Sequence, residues 1–272
     1  MSADEIPPIS LRGGWTAASL RHTFFANGKT ITMKTLSNIS ILAGLAAGLQ
    51  IAAAGDITGT ITLKGTPPAE KPITQLKDDV NCGKLHTEPV FTRFYVVGKG
   101  GELADVFITL KGISGKSTGA SAAPLVVDQK GCEYIPYVAA CQTGQKIVVK
   151  NSDPVLHNIH PTPVNTAGGN KEENKAQMAG GPDLTFTFPA AENFLRFKCD
   201  VHPWMFSYIN VVDHPYFAVS GADGKFTIKN VPPGKYTLVA MHRKAAPAPA
   251  GVEKEIEVTA DGAKVDLTLD AK

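Results

Sequence analysis

The chain has 272 residues, of which 43% are hydrophobic, 19% charged and 7% aromatic, with a formal net charge of +2. That is enough apolar material for one large or two small packed units, and too much for a disordered chain. So small a net charge, with no basic stripe, excludes the phosphate-neutralising surface that nucleic-acid binding requires.

In chain order, the first 54 residues read as processing rather than fold. Residues 1–32 are an irregular extension upstream of a secretory signal at 33–54. Met33-Lys34 opens a short polar region. Residues 39–54 are mostly apolar and small, and Ile51-Ala52-Ala53-Ala54 offers a cleavage site after Ala54. The expectation is translation from Met33, an exported periplasmic protein, and no membrane span after cleavage; an uncleaved anchor is the alternative. Removing 1–54 takes four of the 27 basic and two of the 25 acidic residues, leaving 23 of each. The exported chain is then neutral overall, with only local patches for steering.

No stretch after residue 55 has a clear amphipathic helical period. Short alternating runs recur instead: Ile57, Ile61 and Leu63; Val106, Ile108 and Leu110; the apolar Ile147-Val148-Val149; Leu184, Phe186 and Phe188; Leu195, Phe197 and Cys199. Later come Phe226 and Ile228, then Tyr236, Leu238 and Ala240, then Val265, Leu267 and Leu269. Asp223-Gly224, Pro232-Pro233-Gly234 and Asp261-Gly262 punctuate them. The pattern predicts an all-β protein of sandwiches or barrels. Residues 164–182 and 243–251 read as surface loops.

Strand parity gives one run chemical meaning. Leu195, Phe197 and Cys199 share a face, while Arg196 and Lys198 look away. Cys199 is thus expected to point inward at the end of a core strand. The loop after it, Cys199-Asp200-Val201-His202-Pro203-Trp204-Met205, adds an imidazole and a thioether. A further imidazole waits upstream in Asn151-Ser152-Asp153-Pro154-Val155-Leu156-His157-Asn158. One thiolate, two imidazoles and one weak thioether suit a copper ion that exchanges one electron. A plain buried thiol with ordinary histidines is the alternative reading. A structural zinc site fits less well, because a thioether is an odd zinc ligand.

These motifs resemble the blue copper proteins, the cupredoxins, with an amicyanin-like ligand loop. The resemblance covers residues 122–213, with Tyr134-Ile135-Pro136, Gly144 and Lys150-Asn151 as strand and turn markers. It implies a Greek-key β-sandwich with one type 1 copper held by His157, Cys199, His202 and Met205, His160 not being a ligand. It further implies that Asn158 steadies the Cys199 loop and that Cys141 lies inward as a free thiol. That leaves Cys82 and Cys132 as the disulfide pair in an oxidising compartment. No second Cys lies on the loop, and no His-x-His or His-Cys-His cluster is present, so neither a binuclear centre nor an oxygen- or nitrite-reducing centre is expected. No Cys-x-x-Cys-His for covalent haem occurs. His214 and His242 are expected to be structural.

Residues 221–238 resemble carboxypeptidase regulatory-like domains, which are transthyretin-like sandwiches. The usual opening strands of that unit lie far upstream, at 55–63 and 104–108. The implied organisation is a sandwich split between 55–118 and 214–272, with a cupredoxin unit at 119–213 inserted into it. The whole resembles exported proteins labelled methylamine-utilisation proteins. The function so implied is non-enzymatic: a one-electron carrier between redox proteins. His202 would be the electron exit, and Pro161, Pro203, Trp204 and Phe206 an apolar docking rim. The alternative is a copper-containing scaffold whose second sandwich mediates protein or cell-surface contacts.

Overall fold

A computed structural model describes residues 53–247 and 251–272. The extension, the signal and Pro249 of the second loop lie outside the described residues. Among the described residues the fold is almost entirely β, with one five-residue helix, Thr74–Asp78, and two single-turn 3₁₀ segments. No helix among them is long and apolar enough to cross a membrane.

Four sheets form a layered stack around two large cores. The outer sheet sets Gly55–Lys64 between Lys225–Val231 on one side and Ala263–Lys264 and Leu267–Asp270 on the other. Next comes a sheet of Phe217–Val219, Phe107–Leu110, Gly234–Met241 and Val252–Val258. Ile57, Ile61, Ile108, Phe226 and Leu238 fill the space between these two. The third sheet orders Val138–Gln142, Phe206–Val212, Glu192–Lys198, His157–Thr162 and Lys175–Gln177. The fourth orders Tyr134–Ile135, Leu125–Gln129, Ile147–Asn151 and Leu184–Phe186. Val127, Val149, Phe186, Leu195, Phe197 and Ile209 pack between the third and fourth.

Strand Phe107–Leu110 is buried at all four positions, and parity explains why. Ile108 and Leu110 face the first core. Phe107 turns to the other side, where it meets Val212, Val239 and Met241. The second and third sheets are therefore packed back to back, and their strands read as continuous apolar runs rather than clean alternations. At the turn Asp223-Gly224, Gly224 has φ 68°, and a Cβ there would stand 2.5 Å from the Ile61 carbonyl oxygen. Glycine is required on both counts.

The segment between the two opening strands departs from expectation. Leu76 and Cys82, grouped in the sequence with the split sandwich, bury in the core between the third and fourth sheets. The Cys82–Cys132 disulfide fastens them there. Residues 164–182, read as a loop, include the short edge strand Lys175–Gln177, which pairs with His157–Thr162.

His242 is structural and carries a testable pH dependence. It is buried, its ring lies 5.4 Å from that of Tyr95, and its Nδ1 accepts N–H bonds from Lys244 and Ala245. Burial pushes its pKa down to about 4. The unfolded chain therefore takes a proton near pH 6.5 that the folded chain refuses until about pH 4. Stability should fall by roughly 3 kcal/mol as pH drops through this window and level off below it. The replacement His242→Asn keeps an acceptor without a titrating ring. Urea unfolding at several pH values should show that component flattened in the variant.

Candidate metal centre

The centre lies where the His157–Thr162 strand begins and the Glu192–Lys198 strand ends. The latter has Leu195 and Phe197 buried and Arg196 exposed, so Cys199, the next inward position, enters the core at 2% exposure. The loop after it folds back tightly. The Met205 N–H donates to the His202 carbonyl, and the Cys199 N–H to the Met205 carbonyl. This buries the Met205 side chain in the same cluster as Cys199.

Three donor atoms converge. The Nδ1 atoms of His157 and His202 are 2.9 Å apart, and Cys199 Sγ is 3.7 Å from His202 Nδ1. All three side chains offer donors within 4.8 Å of one another, and all are buried. Two imidazole nitrogens at hydrogen-bond distance must share a proton or a cation. The sulfurs of Cys82 and Cys132 also lie close to His202 and His157. They are joined to each other and cannot act as thiolates, so the usable set is His157, Cys199 and His202.

Asp153 prepares His157. Asn151 organises the preceding turn, its Oδ1 accepting from the Asp153 N–H and its Nδ2 donating to the Val155 carbonyl. Asp153 then accepts N–H bonds from Gly131 and Cys132 and faces His157 Nε2 at 2.9 Å. A carboxylate accepts, so Nε2 donates, and Nδ1 is left to the centre. Burial alone would push the Asp153 carboxyl up, but His157 and the two backbone N–H groups outweigh it and hold it below the usual carboxylate range. Burial likewise works against a charged His157, yet Asp153 and Cys199 raise its pKa on balance. The Cys199 thiol, which burial would push up, is held below the ordinary thiol value by His157 and the N–H groups of Asn158, His202 and Val201. Burial, and then the neighbouring His157, lower His202. The pocket thus favours a thiolate at Cys199 and an unprotonated imidazole at His202, while His157 holds its proton more firmly and must release it before a soft metal binds.

Asn158 holds the loop. Its Oδ1 accepts from the N–H groups of Asp200 and Val201, and its backbone N–H reaches Cys199 Sγ at 3.5 Å. Its Nδ2 donates to Asn174, which in turn donates to Asp200. Asn158→Ala should therefore weaken metal binding by about 10- to 100-fold while costing about 1–3 kcal/mol of stability for the unpaired N–H groups. Metal titration alongside urea unfolding checks both. His160 is not part of the cluster. It lies at an odd offset from His157, and its two ring nitrogens meet Asp200 and Glu172, each at 2.6 Å.

The expected exit and docking rim are only partly open to solvent. His202 is only 6% exposed. Residues 74–85 cover it, with Leu76 in the core and the Cys82–Cys132 disulfide against its ring. Trp204 packs beside it, ring centroids 5.2 Å apart, and donates its Nε1–H to the Cys132 carbonyl. Of the rim, Pro161 is buried, Trp204 and Phe206 are half-buried, and Pro203 is exposed. A long insertion between two strands carries no period that reveals where it will lie. Asp153 was also missed as a partner of His157. Its only signal was a carboxylate four residues before a candidate ligand.

No family model matches the chain, and no curated protein matches it. Several solved structures are similar to part of it. A Cu-containing nitrite reductase from Thermus scotoductus SA-01 is 20% identical over 34% of this chain, with a TM-score of 0.29; the match spans 23% of that enzyme's length. An oxidized amicyanin mutant is 21% identical over 38% of this chain and 97% of its own, TM-score 0.27. A purple cupredoxin from Nitrosopumilus maritimus is 20% identical over 33% and 99%, TM-score 0.27.

Proposed function

We propose that this chain is an exported mononuclear type 1 copper protein that carries single electrons between protein partners and is not an enzyme. The observation that carries this reading is the buried convergence of His157 Nδ1, His202 Nδ1 and Cys199 Sγ. Two imidazoles and a thiolate, with the Met205 thioether as a weak fourth group, fit copper better than zinc. Copper supplies the one-electron couple. The protein's part is to fix the donors beforehand. Asp153 sets the His157 tautomer, Asn158 pins the loop, and the surrounding core excludes water and oxidant, so little need move when charge changes. Export is supported by the leader at 33–54 and by the disulfide, which oxidising compartments favour.

The burial of His202 favours a second reading, in which the metal is held as a structural or stored ion by a scaffold. One experiment separates them. Copper-loaded protein should be intensely coloured, bleach with one electron per chain and recover on oxidation. A coloured protein that cannot be cycled supports the scaffold; a colourless one overturns the type 1 assignment.

A further inference from the structure

The described residues contain three arginines, Arg93, Arg196 and Arg243, and all three gather on one aromatic cluster beside the ligand loop. The rings of Tyr137, Phe206 and Tyr208 form the cluster, with centroids 5.7 to 5.9 Å apart. Arg93 stacks over Tyr137 at 5.3 Å, Arg196 over Phe206 at 5.4 Å and Arg243 over Tyr208 at 3.5 Å. Lys244 lies 4.6 Å over the neighbouring Phe94. None of these cations is in an ion pair; among the described residues every ion pair is made by another lysine or by a histidine. Asp105 and Glu133 feel Arg93 but stand beyond salt-bridge distance, and burial pushes both carboxyls up. Arg243 Nε is buried with no partner.

Stacking alone is a weak reason to collect these three arginines in one place, since each such contact is modest where water has access. A guanidinium held over a ring face still has N–H groups to offer a carboxylate in bidentate fashion, and part of its freedom is already lost before binding. Beside this face opens a cavity of about 320 Å³ that Arg93, Tyr137 and Phe206 share with Phe91, Trp204 and Met205. It offers a socket for an apolar side chain, and it reaches the ligand loop at Trp204 and Met205, beside Thr74 and Gln75 of the segment that covers His202. We propose that this arginine-clad aromatic face docks the acidic surface of a protein redox partner, and that electrons pass there rather than over His202. The inference rests on the carrier reading for its purpose, though not for the binding itself.

Decaglutamate serves as the probe, titrated calorimetrically into metal-free protein. Binding should weaken when salt rises from about 20 to about 200 mM. It should fall about tenfold in Arg93→Gln/Arg196→Gln/Arg243→Gln. Arg196→Gln, which is exposed and safe for folding, should lose about threefold. Lys229→Gln/Lys235→Gln, one on a strand of the outer sheet and one at the start of strand Gly234–Met241, should bind as the parent does. With copper loaded, reduction by the hexacyanoferrate(II) anion should slow in the triple variant while reduction by neutral hydroquinone does not. Equal peptide binding by all variants overturns the proposal, as does binding to phosphatidylglycerol vesicles without binding to the peptide. A colourless copper-loaded protein that still binds the peptide at the arginines would sink the carrier reading alone.

Discussion

Cys199→Ser should leave a folded chain that lacks the visible colour expected of the copper-loaded parent and binds copper at least ~100-fold more weakly. Outer-sphere partners of a metal already account for 10- to 100-fold, and here the strongest donor itself is removed. The control is the other buried free thiol, Cys141. Its environment raises its pKa to about 12 through burial, with no histidine or N–H group to offset it. Cys199 is nearly as inaccessible, yet His157 and three backbone N–H groups hold its thiol down. Cys141→Ala should therefore keep both colour and affinity, at the cost of a small cavity. Absorbance and copper titration of the two variants side by side decide the matter. Equal colour in parent and Cys199→Ser would remove Cys199 from the centre.

Breaking the covalent cap should have the largest effect on stability. The disulfide closes a loop of 50 residues, and loop-closure entropy then predicts about 4 kcal/mol of stabilisation. Cys82→Ala/Cys132→Ala should lower the urea midpoint accordingly, and a reductant should shift the parent by the same amount while leaving the variant unmoved. The double variant should also open the edge over His202, read as faster hydrogen exchange at residues 74–85 and 202–204. Colour should persist, because neither sulfur is a donor to the centre. A loss below about 1 kcal/mol would mean that Leu76 and its neighbours hold the segment without the bond.

What was legible from residues followed from local rules. Alternation in Leu195, Phe197 and Cys199 turned the thiol inward because side chains on a strand change faces at every step. Gly224 and Pro232-Pro233-Gly234 marked turns through backbone limits that act on single residues. Where the reading failed, the cause was apposition between distant segments. His202 looked like a surface exit because its ring sits on a short loop at a strand end. Part of what buries it comes from residues 74–85, more than a hundred positions upstream. Asp153 was visible in the chain, but its bond to His157 depends on a turn closed by Asn151 and on N–H groups from the Gly131-Cys132 loop.

The all-β character, the inward thiol and the kinds of donor offered by the 199–205 loop were determined by the sequence alone, since each depends on period, turn chemistry or residue type. Only the tertiary structure decided that the two imidazoles meet at 2.9 Å, that a disulfide-bound segment shuts one edge of the centre, and that Arg93, Arg196 and Arg243 share one aromatic cluster. Those residues come from an insertion, an outward strand position and the loop that follows strand Gly234–Met241. No spacing along a chain encodes such a meeting; the packing of one layer on the next creates it.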